Sequence, residues 1–161
     1  MSFCGRHGSA GLELTTRSAL GGVGQRQVRG LNFMTHKLVL KVLTESLGIC
    51  RLDKEAPIPC WLTASESFYA VVVTADEISI VCQDNLIPDG CLAEKNYRAL
   101  KVQGPLDFSL TGVLASLLSP LAEAGIAVFA ISTYDTDYIL VKQDKLDRAI
   151  DVLSSLAAIN Q

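Results

Sequence analysis

Between Pro105 and Lys142 the hydrophobic and polar positions change period twice, and the elements predicted there organise the rest of the chain. Val113, Leu114, Leu117, Leu118 and Leu121 recur at i, i+1, i+4, i+5 and i+8, the stripe of a helix lying on a sheet. Gly125 ends that helix. Ile126 to Ser132 and Asp137 to Lys142 are short, branched and aromatic runs, predicted as antiparallel strands joined through Thr133, Tyr134, Asp135 and Thr136. Leu146, Ala149, Ile150, Leu153, Leu156 and Ala157 return to helical spacing, with Asp144 as the predicted cap and no further strand before Gln161. Preceded by a strand over Tyr97 to Val102, this is one strand short of a split βαβ ferredoxin-like unit.

Upstream, HKLVLKVLTE from His36 reads as a strand, and its stretch 37 to 44 is the natural candidate to complete that unit. The following LGICRLDKEAPIPCW contains Pro57 and Pro59, which deny a helix, so short edge strands around a turn are expected. Phe68 to Val73 and Ile78 to Cys82 flank the turn Thr74, Ala75, Asp76, Glu77; Pro88, Asp89 and Gly90 then open a connector predicted to run through Lys95. Sliding the chain on itself by sixty residues lays Tyr69-Ala70-Val71 over Phe129-Ala130-Ile131, Glu77 over Asp137 and Gln83-Asp84 over Gln143-Asp144. Two related halves follow: a degenerate one over 37–95, without a long amphipathic helix, and a second over 97–160. Because strand 37 to 44 belongs to the first by sequence and to the second by need, the halves are expected to be interdependent.

Residues 1 to 33 differ in kind, with scattered glycines among Arg6, Arg17, Arg26 and Arg29. A leader upstream of a start at Met34, an Arg-rich transit peptide and a basic partner-binding arm are the three readings, the leader ranking first because glycines oppose an amphipathic transit helix. The 161 residues are 49% hydrophobic with a net charge of −3 and a pI near 5.3, which supplies a core and lacks the basic excess of a nucleic-acid binder. Five cysteines without CxxC spacing or a secretory leader predict free thiols and a cytoplasmic setting. His7 and His36 lie near the amino end, away from the expected core, which argues against a metal centre and against Cys/His catalysis. Leu110 to Ser132 carries a single charge, yet Pro120, Glu123 and Gly125 interrupt it, so no membrane span is expected.

The stretch GPLDFSLTGVLASLLSPLAEAGIAVFAISTYDTDYILVK resembles the ACT family, in particular the small tandem ACT-like proteins similar to the cytosolic arginine sensors and to the regulatory domain of aspartate kinase. The similarity covers residues 37 to 160 and is strongest from Gly104 to Val141. It implies an α/β sandwich of ferredoxin-like βαββαβ units, antiparallel sheets with helices on one face, and amino-acid binding where two units meet. It further implies a homodimer or an ACT-containing or effector partner, no cofactor, no nucleic acid and no membrane. Asp137 falls where the arginine sensors place a ligand-contacting aspartate.

The residues themselves suit such a ligand. Thr111, Gly112 and Val113 open the first helix, where unpaired N–H groups and the positive end of the dipole favour a carboxylate. Ser132, Thr133 and Tyr134 offer hydroxyls, and Asp135 and Asp137 offer charge to an ammonium or a basic side chain. Beside this stand plainer readings: Gly112 as a helix-packing residue, Asp137 as a turn cap, Ser132 to Asp135 as a solvated hairpin, Phe108 and Phe129 as core. Three functions compete in descending order: an amino-acid-binding regulatory module, a ligand-free ACT-like adaptor working through protein contacts, and an enzyme. The last would need Asp107, Asp135, Asp137 and Glu77 around a thiol such as Cys82, with no histidine or phosphate loop in register.

Overall fold

A computed structural model of the chain describes residues 38–64 and 67–161. Five strands come first: β1 (Leu38–Val42), β2 (Leu47–Asp53), β3 (Ala70–Val73), β4 (Glu77–Gln83) and β5 (Leu92–Val102). Helix α1 (Val113–Glu123) follows, then β6 (Val128–Ser132), β7 (Asp137–Lys142), α2 (Leu146–Leu153) and β8 (Ala157–Asn160). The expectations for residues 1–33 lie outside the described residues. Among the described residues no helix is long and apolar enough to cross a membrane.

The eight strands of the described residues form one sheet with β5 as its spine. Leu100 faces Val42 of β1 on one edge and Ile139 of β7 on the other, while Tyr97 faces Leu47 of β2 and Lys142 of β7. β1 and β2 therefore lie end to end along one edge of β5. The order β1-β5-β7-β6 is the ferredoxin-like arrangement, with β1 as the completing strand. β4 and β3 extend the sheet beyond β2, and β8 runs parallel to β1.

Strand alternation sorts the apolar residues into layers. Leu40, Val42, Leu100, Val102, Ile139 and Val141 face Val113, Leu117 and Leu121 of α1 and Leu146, Ala149 and Leu153 of α2, so both helices cover one face. On the other face Leu47, Val81, Ala99 and Leu140 meet, bringing the first half's β4 against the second half's strands. Cys50, Ile78, Ile80 and Cys82 form a third cluster with Leu62, from the 3-10 turn Cys60–Ala64 that follows Pro57 and Pro59.

α1 matches its predicted stripe and passes through Pro120 without breaking. It ends with Ile126 N–H on the Leu121 carbonyl and Gly125 N–H on that of Ala122, both 2.9 Å, the pair of bonds of a Schellman stop.

Several expectations are corrected. β2 is no edge strand: β4 and β5 pair with it on both sides, and Leu47 and Cys50, three residues apart, are buried on its opposite faces. The connector after Gly90 is short, since β5 begins at Leu92. Asn96, at φ 63°, and a register shift opposite Leu47 and Ile49 put a bulge in β5, which hides one strand behind an apparently polar stretch. α2 stops at Leu153, where the Ser154 hydroxyl bonds the Asp151 carbonyl at 2.8 Å; residues 157–160 then pair with β1 as a strand. Asp144 caps nothing and lies in a 3-10 turn beside Lys145, at 3.2 Å.

The hairpins β3–β4 and β6–β7 repeat each other one residue away from the sixty expected. Thr74 accepts and donates across its turn to Glu77 as Thr133 does to Thr136, and 3-10 turns start at Asp84 and Gln143. Each of these pairs is 59 positions apart. Asp137 therefore corresponds to Ile78, and Glu77, which pairs with Arg51 at 2.7 Å, corresponds to Thr136.

Candidate functional site

The loop leaving β5 folds down onto the β6–β7 turn. Leu106 N–H donates to the Asp135 carbonyl at 2.8 Å, and the buried Thr136 hydroxyl donates to the Val102 carbonyl. A Cβ on Gly104 would collide with that same Asp135 carbonyl, so glycine allows the loop to close against the turn. Asp107 then shapes the next turn, its Oδ1 accepting from Ser109 N–H at 2.8 Å and from the Ser109 hydroxyl at 2.6 Å. These bonds, the hydroxyl's first, hold the Asp107 carboxyl below the usual carboxylate range.

Between loop and turn lies a cavity of about 220 Å³. Of the residues predicted from sequence, Val113, Ser132, Thr133, Tyr134, Asp135 and Asp137 line it. Thr111 and Gly112 do not; Gly112 instead occupies the left-handed region at φ 82° as the residue before α1, its carbonyl accepting from Ser116 N–H at 2.9 Å. Its glycine is thus required by backbone conformation rather than by a close ligand approach.

Asp137 is half-buried, and its Oδ1 accepts from the Ser132 hydroxyl across the hairpin at 2.5 Å. Its other oxygen takes no hydrogen bond among the described residues. Phe108 is not core: it is 77% exposed and sets its ring edge-on to Tyr134, itself 80% exposed, at 5.0 Å. Phe129 is half-buried against the Leu47 and Leu140 cluster. Leu106, Asp107, Phe108, Leu110 and Thr136 were the wall residues missed, although the Asp107-x-Ser109 spacing is the sequence sign of an Asx turn.

Asp107, Asp135 and Asp137 therefore line one cavity, and among the described residues its lining contains no lysine or arginine. Such a site attracts a cation. Cys82 does not join these carboxylates: it is fully buried in the cluster with Cys50 and Ile80, and burial, then the Cys50 thiol and Asp84, push its pKa up to about 11. Among the described residues no group of His, Cys, Asp or Glu is arranged to hold a metal ion.

Comparison with known proteins bears on the same residues. The ACT domain model matches residues 92–155, and a second model describing an N-terminal domain matches 45–90. A crystallised protein of Agrobacterium tumefaciens is 35% identical and superposes with a TM-score of 0.72, over 77% of this chain and 92% of that one. Residues 92–155 belong to the ACT family. The ACT fold of the chain recurs, at 8% identity and a TM-score of 0.53, in the regulatory subunit of aspartate kinase from Thermus thermophilus, with 73% of this chain and 95% of that one covered. The cytosolic arginine sensor for mTORC1 subunit 1 of Homo sapiens is 32% identical over 108 residues, 62% of this chain and 33% of that protein. The orangutan (Pongo abelii) protein of the same name is 32% identical over 111 residues, 64% of this chain and 34% of that protein. This ACT chain thus spans about a third of the length of the curated relatives it matches.

Proposed function

We propose that this ACT protein is an amino-acid-binding regulatory module without catalysis of its own, and that its ligand carries a cationic group into the cavity between Asp135 and Asp137. The carrying observation is a lining with three aspartates and, among the described residues, no basic side chain. The exposed Phe108 and Tyr134 rings at its rim add the faces on which a guanidinium or ammonium stacks. At about 220 Å³ the cavity is below the usual range for a whole small-molecule site, so it takes one end of the ligand. The ligand's carboxylate then faces the start of α1, where Val113 lines the cavity and the first-turn N–H groups lack helical partners. The arginine named in its relatives fits this division of charge, and their cytosolic setting and effector complex complete the proposal.

Calorimetry of the full chain against arginine, lysine, alanine and the other amino acids tests this. A basic amino acid is expected to bind best. Asp137→Ala is expected to weaken it by about tenfold or more, because a charged hydrogen bond contributes roughly 1.5 to 3 kcal/mol. Thermal unfolding of the variant, near that of the parent, separates ligand loss from damage to the Ser132–Asp137 pair. No heat from any amino acid would favour the ligand-free adaptor, and undiminished affinity in the variant would move the site elsewhere.

A further inference from the structure

On the sheet face away from the helices, four neighbouring strands place a row of side chains at one level: Asn160 on β8, Lys41 on β1, Lys101 on β5 and Tyr138 on β7. Their flanking neighbours Leu40, Val102 and Ile139 point the other way, into the helix-covered core, which fixes the direction of the row. Lys41 and Lys101 are directly opposed across an antiparallel pair, an arrangement that repels. Neither makes an ion pair among the described residues; Lys101 has the Tyr138 ring 5.6 Å from its Nζ. Both line an open cavity of about 670 Å³, bordered also by Gln103 and Asn160, which meets the smaller one at Asp135 and Thr136.

Two cations and one carboxylate around polar amides are the charge complement of a molecule with two carboxylates and one ammonium. We propose that this cavity is a second ligand site and that it takes an acidic amino acid. The two carboxylates settle between Lys41 and Lys101, relieving their repulsion, and the ammonium meets Asp135. Gln103 and Asn160 donate amide hydrogen bonds to the remaining carboxylate oxygens.

The test titrates the full chain with L-aspartate and L-glutamate, with succinate and inorganic phosphate as parallel arms. One of the two amino acids is expected to bind, more weakly as salt is raised. Lys41→Gln and Lys101→Gln should each lower that affinity about tenfold or more, while Asp137→Ala, which strikes the other cavity, should leave it unchanged. Without ligand, both lysine variants should melt at or above the parent's temperature, since each removes a like-charge contact. The proposal is overturned if neither acidic amino acid binds, if binding survives both substitutions, or if succinate or phosphate binds as tightly as aspartate. Because the two cavities share Asp135, the titrations are run without a basic amino acid, and Lys41 and Lys101, which do not line the first cavity, keep a failure here distinct from a failure of the first site.

Discussion

Asp84 ties the bend of the sheet together with one carboxylate: its Oδ2 accepts from the Ser46 hydroxyl at 2.6 Å and from Asn96 N–H, at the bulge of β5, at 3.1 Å. Gly48 makes room for it, since a Cβ there would lie 2.8 Å from Asp84 Oδ1 and 2.5 Å from Ile87 Cδ1. Next to this bend, Cys82 gives a residue-scale prediction. Its thiol is an acid whose folded pKa is raised, chiefly by burial, from 9.0 to about 11. The neutral form is the one the fold prefers, so this contribution is fully present below 9.0 and is lost as pH rises through about 11. Urea midpoints are expected to fall across that interval, and Cys82→Ala to flatten the fall. An identical slope in the variant would remove Cys82 as its cause.

At the scale of elements, α1 and β7 were legible because each is a local pattern: a 3.6-residue stripe ended by Gly125, and an unbroken run from Asp137 to Lys142. β1 was legible as a strand from its Leu and Val content, and its place came from the missing strand of the second unit. What sequence hid depends on partners far along the chain. β2 reads as an edge until β4 and β5 flank it; the first residues of β5 read as a loop because Leu92 and Glu94 are exposed; β8 looks helical until β1 supplies its hydrogen bonds. The turn residues of the cavity were within reach for the same local reason as β7, whereas Phe108 and Asp107 depended on how the loop docks. The interdependence of the halves predicts the behaviour of Leu40, which is early in the chain yet fully buried between β5 and the helices of the second unit. Leu40→Ala is expected to cost about 2 to 5 kcal/mol. Urea unfolding of the variant should remain one transition, at lower midpoint. Two separated transitions, with the second unit unaffected, would mean that β1 is dispensable to it.

For the whole molecule, the charge layout and the open edges act together. The two cavities share Asp135 but differ in sign, carboxylates alone on one side of the turn and a lysine pair on the other. β3 pairs with β4 alone, β6 with β7 alone and β8 with β1 alone, leaving three strand edges open among the described residues. β3 is the most exposed of them in apolar terms, with Val72 at 53% and Val73 at 60% exposure and neither lysine nor proline along it to discourage pairing. We expect the chain to dimerise by pairing through this edge, continuing the sheet from one copy to the next. Sedimentation at micromolar concentration should then report a dimer, and Val73→Lys, which places a charge at the edge without touching either cavity, should raise the dissociation constant about tenfold or more. A parent that stays monomeric throughout that range rejects the dimer, and a variant that associates like the parent assigns the contact to a different surface, the edge of β6 being the next to test.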